Sequence, residues 1–193
     1  MLGRDFVEQS MANHSLVLAN RGITSPGLFP DLEHITIDRN VLAMDSDFGS
    51  VGCRALGFLG LVDAVVDFSC YEVRHLQNTV PFLPPYKRYI YISTASVYDA
   101  NALRQPDPAS SYYWYCVNKI ECEGWIKKHQ QDWRILRPCA VVGRHDYTGR
   151  FFEKNGKYYW RVNGQLASDA VSVDVVTKSI MRMLSSDIFE LNL

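Results

Sequence analysis

The run Tyr89-Ile90-Tyr91-Ile92 sets the tightest limit on what this chain can become. Aromatic and β-branched residues fill it on both alternating faces, so a strand made from it must be covered on both sides. The run opens into Ser93-Thr94-Ala95-Ser96-Val97-Tyr98. A buried strand reads this way when its C-terminal end meets a site, and the reading extends it over residues 89–98. A polar, proline-containing loop follows. Ser110 and Ser111 are then N-cap candidates for a helix that continues through Trp125 and Ile126. Tyr115 and Lys119 are four apart and share one face of that helix.

The rest of the chain alternates in the same manner. Phe6, Val7 and Met11 give one apolar helix face near the start. Strands are expected at 15–20, 34–38 and 61–68, with a helix over 72–80 and a poorly defined one within 41–60. A further strand runs from Asp132 to Gly143. Residues 151–162 read as a hairpin turning at Asn155-Gly156. A helix beginning near Val171 continues to Met183, and a last strand occupies 188–193. Helix and strand alternation argues for an α/β fold, a Rossmann-like doubly wound parallel sheet, with the 150–170 hairpin on the substrate side. Ligands of such sheets bind beyond the strand C-termini. Asn20, Arg21, Asp38, Arg39, Ser69 and Thr94 all fall at those ends.

Length and composition narrow the function. A chain of 193 residues, 47% hydrophobic and 21% charged, suits one globular domain over 1–193. A net charge of −1 gives no global attraction to nucleic acid or an anionic membrane. No run reaches the length of a membrane span, and the start has no signal-peptide pattern. Five cysteines, 53, 70, 116, 122 and 139, include no Cys-x-x-Cys pair. That argues against a metal site or disulfide framework and for reduced thiols in the cytoplasm.

The chemistry lies in the hydroxyl, phenol and ammonium set. A free phenol, with a pKa near ~10, is a poor base at neutral pH. A neighbouring ammonium favours the phenolate and lowers that value. A hydroxyl such as Thr94 holds the oxygen of an alcohol or carbonyl against the phenol.

The Ser93-to-Tyr98 segment followed by Tyr115-x-x-x-Lys119 resembles the extended or atypical short-chain dehydrogenase/reductase superfamily, in its nucleotide-sugar epimerase/dehydratase-like branch. The resemblance makes Thr94 the catalytic hydroxyl, Tyr115 the acid/base, and Lys119 the lysine that also holds the nicotinamide ribose. It places Asn20 and Arg21 at the adenosine ribose. An arginine there suits the 2′-phosphate of NADP, in preference to NAD. Asp38 takes the adenine-contacting position, and Ser69 ends the strand beside the cofactor. Arg137-Pro138 and Val141-Val142-Gly143 are similar to the family's Arg-Pro-x-x-Val-x-Gly element, in which Pro138 backs the nicotinamide. Ser96, Arg144 and His145 fall on the substrate side. Gly3 fits the third glycine of the Gly-x-x-Gly-x-x-Gly fingerprint, whose first strand and first two glycines the sequence lacks. The expectation is therefore a natural start about ten residues upstream.

The leading expectation is an NADP-dependent oxidoreductase passing hydride at a secondary alcohol or carbonyl carbon of a small molecule, sugar or nucleotide derivatives included. A homodimer through the helix carrying Tyr115 is the assembly the resemblance implies. The alternative is a non-catalytic dinucleotide-sensing or RNA-binding module on the same scaffold. A third reading is a remnant with no ligand.

Overall fold

Period-two alternation along one strand builds the centre of the molecule. The computed structural model describes residues 1–41, 56–57, 59–99, 103–146, 151–154, 157–162, 165–167 and 170–193, with 151–167 by backbone alone. The strands are β1 (Val17–Asn20), β2 (Glu33–Thr36), β3 (Val62–Asp67), β4 (Tyr86–Ile92), β5 (Trp133–Arg137), β6 (Ala140–Val142), β7 (Phe151–Lys154), β8 (Lys157–Val162), β9 (Gln165–Ala167), β10 (Ala170–Ser172) and β11 (Glu190–Asn192). The helices are α1 (Leu2–Ser10), α2 (Val73–Thr79), α3 (Ser111–His129) and α4 (Val173–Ser185). β4 sends Ile90 and Ile92 to one face, where they pack with Phe6 of α1 and Val176, Ile180 and Met183 of α4. It sends Tyr89 and Tyr91 to the other, against Leu76 of α2 and Cys122 and Ile126 of α3. One strand thus supports two cores, which makes the sheet doubly wound.

The main sheet runs β11-β5-β4-β3, all parallel. β1 and β2 form a separate parallel pair. β6 and β10 form another, and β7-β8-β9 is an antiparallel sheet. The expected hairpin is present over Phe151–Lys154 and Lys157–Val162, and β9 adds a third strand. Asn155 and Gly156 themselves lie outside the described residues, as does most of the helix expected within 41–60.

Two boundaries differ from the sequence reading. The strand read over 89–98 ends at Ile92, and Ala95–Tyr98 forms a 3-10 turn. The Thr94 hydroxyl accepts from Ser96 N and so caps that turn, which closes the strand. The strand read from Asp132 to Gly143 is two strands. β5 pairs with β4 and β11, and β6 leaves to pair with β10. The break falls at Pro138, which has no N–H for a ladder bond; its carbonyl accepts from Ala95 N. Gly143 closes β6 with φ +136°, and a Cβ there would stand 2.7 Å from Val173 Cγ1, so glycine is required.

Candidate functional site

A cavity of about 370 Å³ opens at the C-terminal end of the main sheet. Ser93, Thr94, Tyr115, Lys119 and Pro138 line it, together with Met1 and Leu2 at the N-terminal end of α1. Parallel strands converge there with loops on one side, and the strand end, α3 and the β5–β6 break each contribute one part of the set. Thr94, Tyr115, Lys119 and Pro138, named from the sequence, thus line the same cavity.

Ser110 starts α3: its Oγ accepts from Tyr113 N at 3.3 Å. That start sets Tyr115 in the second turn and Lys119 one turn later. Burial pushes the Tyr115 phenol above its usual range, and a hydrogen bond with the Thr94 hydroxyl offsets the rise only in part. Lys119 does not pull it down as the spacing suggested. Its ammonium is buried, at 3% exposure, and donates to the carbonyls of Cys70 at 2.9 Å and Ile92 at 3.0 Å. The rings of Tyr71 and Tyr91 stand 4.9 and 4.8 Å from it. Burial holds the Lys119 pKa below the ordinary lysine value, against the opposing fields of Cys70 and Asp67. In the chain by itself, the Tyr115 phenol therefore keeps its proton at neutral pH.

A second polar set braces the strand end from behind. Ser93 Oγ donates to Glu123 Oε1 at 2.6 Å, and Glu123 takes a two-pronged bond from Arg137 at 2.7 and 2.6 Å. Arg137 also reaches Glu190 on β11 at 2.7 Å. These groups tie β4, β5, β11 and α3 together immediately behind Thr94. Glu123 lies four residues after Lys119, and that helical spacing was the signal that could have found it.

The other sequence-predicted residues fall elsewhere. Arg144 pairs with Asp5 at 2.6 Å and Asp174 at 3.2 Å, and His145 meets Glu8 at 2.8 Å. Neither lines the cavity, because both are drawn to acids on α1 and α4. Ser96 bonds Thr94 at 3.2 Å and is likewise off the lining. Gly3 lies in the first turn of α1 beside the Phe68 ring, which a Cβ would meet at 3.7 Å. Asn20 Oδ1 accepts from Gly22 N at 2.7 Å, and Arg21 is exposed. The Asp38 carboxyl is held below its usual range by the backbone and side chain of Asn40, with Arg21 and His75 adding their fields. Ser69 lies near Arg39, whose Nη1 approaches its Oγ at 3.4 Å. Phe68, Tyr71, Cys139, Val141 and Asp146 also line the cavity, and none was assigned as a site residue from the sequence. Among them, the aromatic pair at the end of β3 was visible as Phe68-Ser69-Cys70-Tyr71 but has no spacing rule that marks it.

No family model matches the chain, and no curated protein matches it. Solved structures do. The anaerobillin reductase ChuY of Escherichia coli is 16% identical, with a TM-score of 0.62 over 99% of this chain and 88% of that one. A wide-type short-chain dehydrogenase/reductase of Veillonella parvula in complex with NADP is 12% identical, with a TM-score of 0.63 over 100% and 88%. A UDP-N-acetylglucosamine 4-epimerase of Methanobrevibacter ruminantium in complex with UDP-N-acetylmuramic acid is 18% identical, with a TM-score of 0.62 over 100% and 73%. The fold is the Rossmann-like one of these structures. Among the described residues, no helix is long and apolar enough to cross a membrane.

Proposed function

We propose that the chain is an NAD(P)-dependent oxidoreductase of the epimerase/dehydratase-like short-chain dehydrogenase/reductase type, acting at a carbonyl or secondary alcohol carbon of a small molecule. The observation that carries this reading is the convergence of the Thr94 hydroxyl, the Tyr115 phenol and the Lys119 ammonium on one cavity at the sheet's C-terminal end. The residues present fit a nicotinamide nucleotide. Lys119 has three N–H donors, of which two go to backbone carbonyls, so a third is left for a ribose hydroxyl. Pro138 offers a flat apolar backing, and the N-terminal turn of α1 offers backbone N–H groups for an anion. When bound, the reduced nicotinamide supplies the hydride. Thr94 and Tyr115 then hold the substrate oxygen between two hydroxyls, and Tyr115 donates the proton as negative charge develops there. A phenol raised by burial favours this reducing direction.

Arg21, exposed at the end of β1, supports NADP over NAD through its charge. Cys70 and Cys122 bring their sulfurs to 3.7 Å as a thiol–thiol contact, which supports a reducing cytoplasmic setting. We take residues 1–193 as one dinucleotide-binding unit with the β7–β9 sheet on the substrate side, and a homodimer through α3 as its assembly.

Calorimetric titration with NADPH and NADH, followed by turnover on a panel of ketones and aldehydes, tests the proposal. Tyr115→Phe should lower turnover on the order of 10²–10⁴-fold and leave dinucleotide binding intact. Reduction should hold its rate through neutral pH and fall only at alkaline pH, as the raised phenol ionises. Dinucleotide binding with no turnover on any carbonyl would replace the enzyme with a sensing module.

A further inference from the structure

Three aromatic rings form a wall that starts inside the cavity and leads out of it. The Tyr71 ring lines the cavity and is 51% exposed. Its centroid lies 6.4 Å from that of Tyr115, and Tyr115 lies a further 6.4 Å from Tyr112, with those two rings inclined by 27°. Tyr112 is 45% exposed, and its hydroxyl is fastened to Asp99 Oδ2 at 3.1 Å. Flat partners gain most from stacking on exposed rings arranged in a row. The buried Lys119 ammonium stands 4.9 Å from the centre of the Tyr71 ring, which holds that ring at the cavity wall.

We infer that the substrate is a flat, conjugated carbonyl compound, of the aryl-ketone kind, whose ring lies against Tyr71 and whose oxygen lies between Thr94 and Tyr115. This rests on the proposed reductase reading and deepens it. The ring system extends past Tyr115 towards Tyr112, so the wall sets both the plane of the substrate and the side on which its carbonyl is presented.

The test compares acetonaphthone, its fully saturated ring analogue of the same length, and UDP-glucose, each with NADPH and the whole chain. KM for acetonaphthone should be about tenfold below that of the saturated ketone. Tyr71→Phe should keep that ratio, and Tyr71→Leu should bring it near one. Calorimetric binding of the two ketones, without turnover, gives the second reading. Preferential binding of acetonaphthone upholds the aromatic site, and that binding with no turnover of any ketone or aldehyde of the panel defeats the reductase alone. Turnover of the saturated ketone or of UDP-glucose with an equal or lower KM overturns the inference and leaves the reductase standing. Acetonaphthone with neither binding nor turnover overturns the inference, and the wider carbonyl panel then decides the reductase. The ligand series on the unaltered chain decides the matter even where a Tyr71 variant does not fold.

Discussion

The four-stranded sheet and the β1–β2 pair use the same kind of parallel strand and reach different ends. In the first, Ile90 and Tyr91 are fully buried and the neighbouring strands match them, with Ile135 and Leu136 at 0% exposure. In the second, Ile35 is buried, but Val17 is 37% exposed and Ala19 and Asn20 are open to solvent. A parallel strand holds its place by cover on both faces. β4 has α1 and α4 on one side and α2 and α3 on the other. Among the described residues, the outer pair has no such double cover. The proposed proton-transfer set stands on the covered sheet, and the residues proposed for the adenosine end stand on the open one. Rigid placement within a few tenths of an ångström matters for chemistry, whereas binding of a large flexible ligand tolerates more movement.

Side chains join the two sheets where no strand pairing does. Arg39 follows β2, and its guanidinium makes a two-pronged bond to Asp67 at the end of β3, at 2.8 and 2.9 Å. Tyr89 OH donates to the same carboxylate at 2.7 Å, and Ser69 N at 3.1 Å. Burial alone would raise the Asp67 pKa, but Arg39, Tyr89 and Ser69 together bring it below the ordinary carboxyl value. Asn78 Nδ2 also donates to Arg39 O at 2.9 Å, which anchors the link to α2.

Cutting that link is the strongest way to break the comparison. Arg39→Leu leaves the Asp67 carboxylate buried without its cation and should cost about 3–5 kcal/mol in urea unfolding at neutral pH. The sign with pH follows from the shift. In the unaltered chain Asp67 contributes stability above the ordinary carboxyl range near ~4, and this is lost as pH falls through its depressed value. In the variant the carboxylate is unfavourable, so the deficit should shrink as acid protonates it. A deficit that grows towards acid would mean that Arg39 acts through packing alone.

A smaller and more local test sharpens the contrast in cover. Ile90→Ala opens a cavity between two cores and should cost about 2–5 kcal/mol. Val17→Ala, on the open pair, should stay within about 0.5 kcal/mol. Equal losses at the two positions would show that β1 is as well covered as β4, and the contrast would fall.

The sequence reading went furthest where local pattern and tertiary cover agree. The Tyr89–Ile92 alternation, the Ser110 cap and the Tyr115–Lys119 spacing all survive in the structure, because each depends on neighbours within one element. Boundaries at Thr94 and Pro138 were legible only in hindsight: both are set by side-chain capping and ladder loss at the meeting point of several elements. The direction of the Tyr115 shift was not legible at all. Spacing places a lysine one turn away, but the carbonyls of Cys70 and Ile92, from two other segments, decide where its ammonium points. Arg144 and His145 were drawn off by Asp5, Glu8 and Asp174, partners that are 30 to 139 positions distant in sequence.

Arg21 offers the mildest test and the one that separates the halves most cleanly. It is exposed at the end of β1, its field acts on Asp38, and it touches none of the groups that line the cavity. If it meets a 2′-phosphate, its worth is that of one partly solvated charge-assisted contact, on the order of a tenfold preference. Arg21→Ala should therefore weaken NADPH about tenfold in calorimetry and leave NADH unchanged, bringing the two affinities together. The rate at saturating dinucleotide should hold, because Thr94, Tyr115 and Lys119 are set by the covered sheet. A fall in the saturated rate would show that the open pair positions the reacting end as well, and the division of labour between the two sheets would not stand.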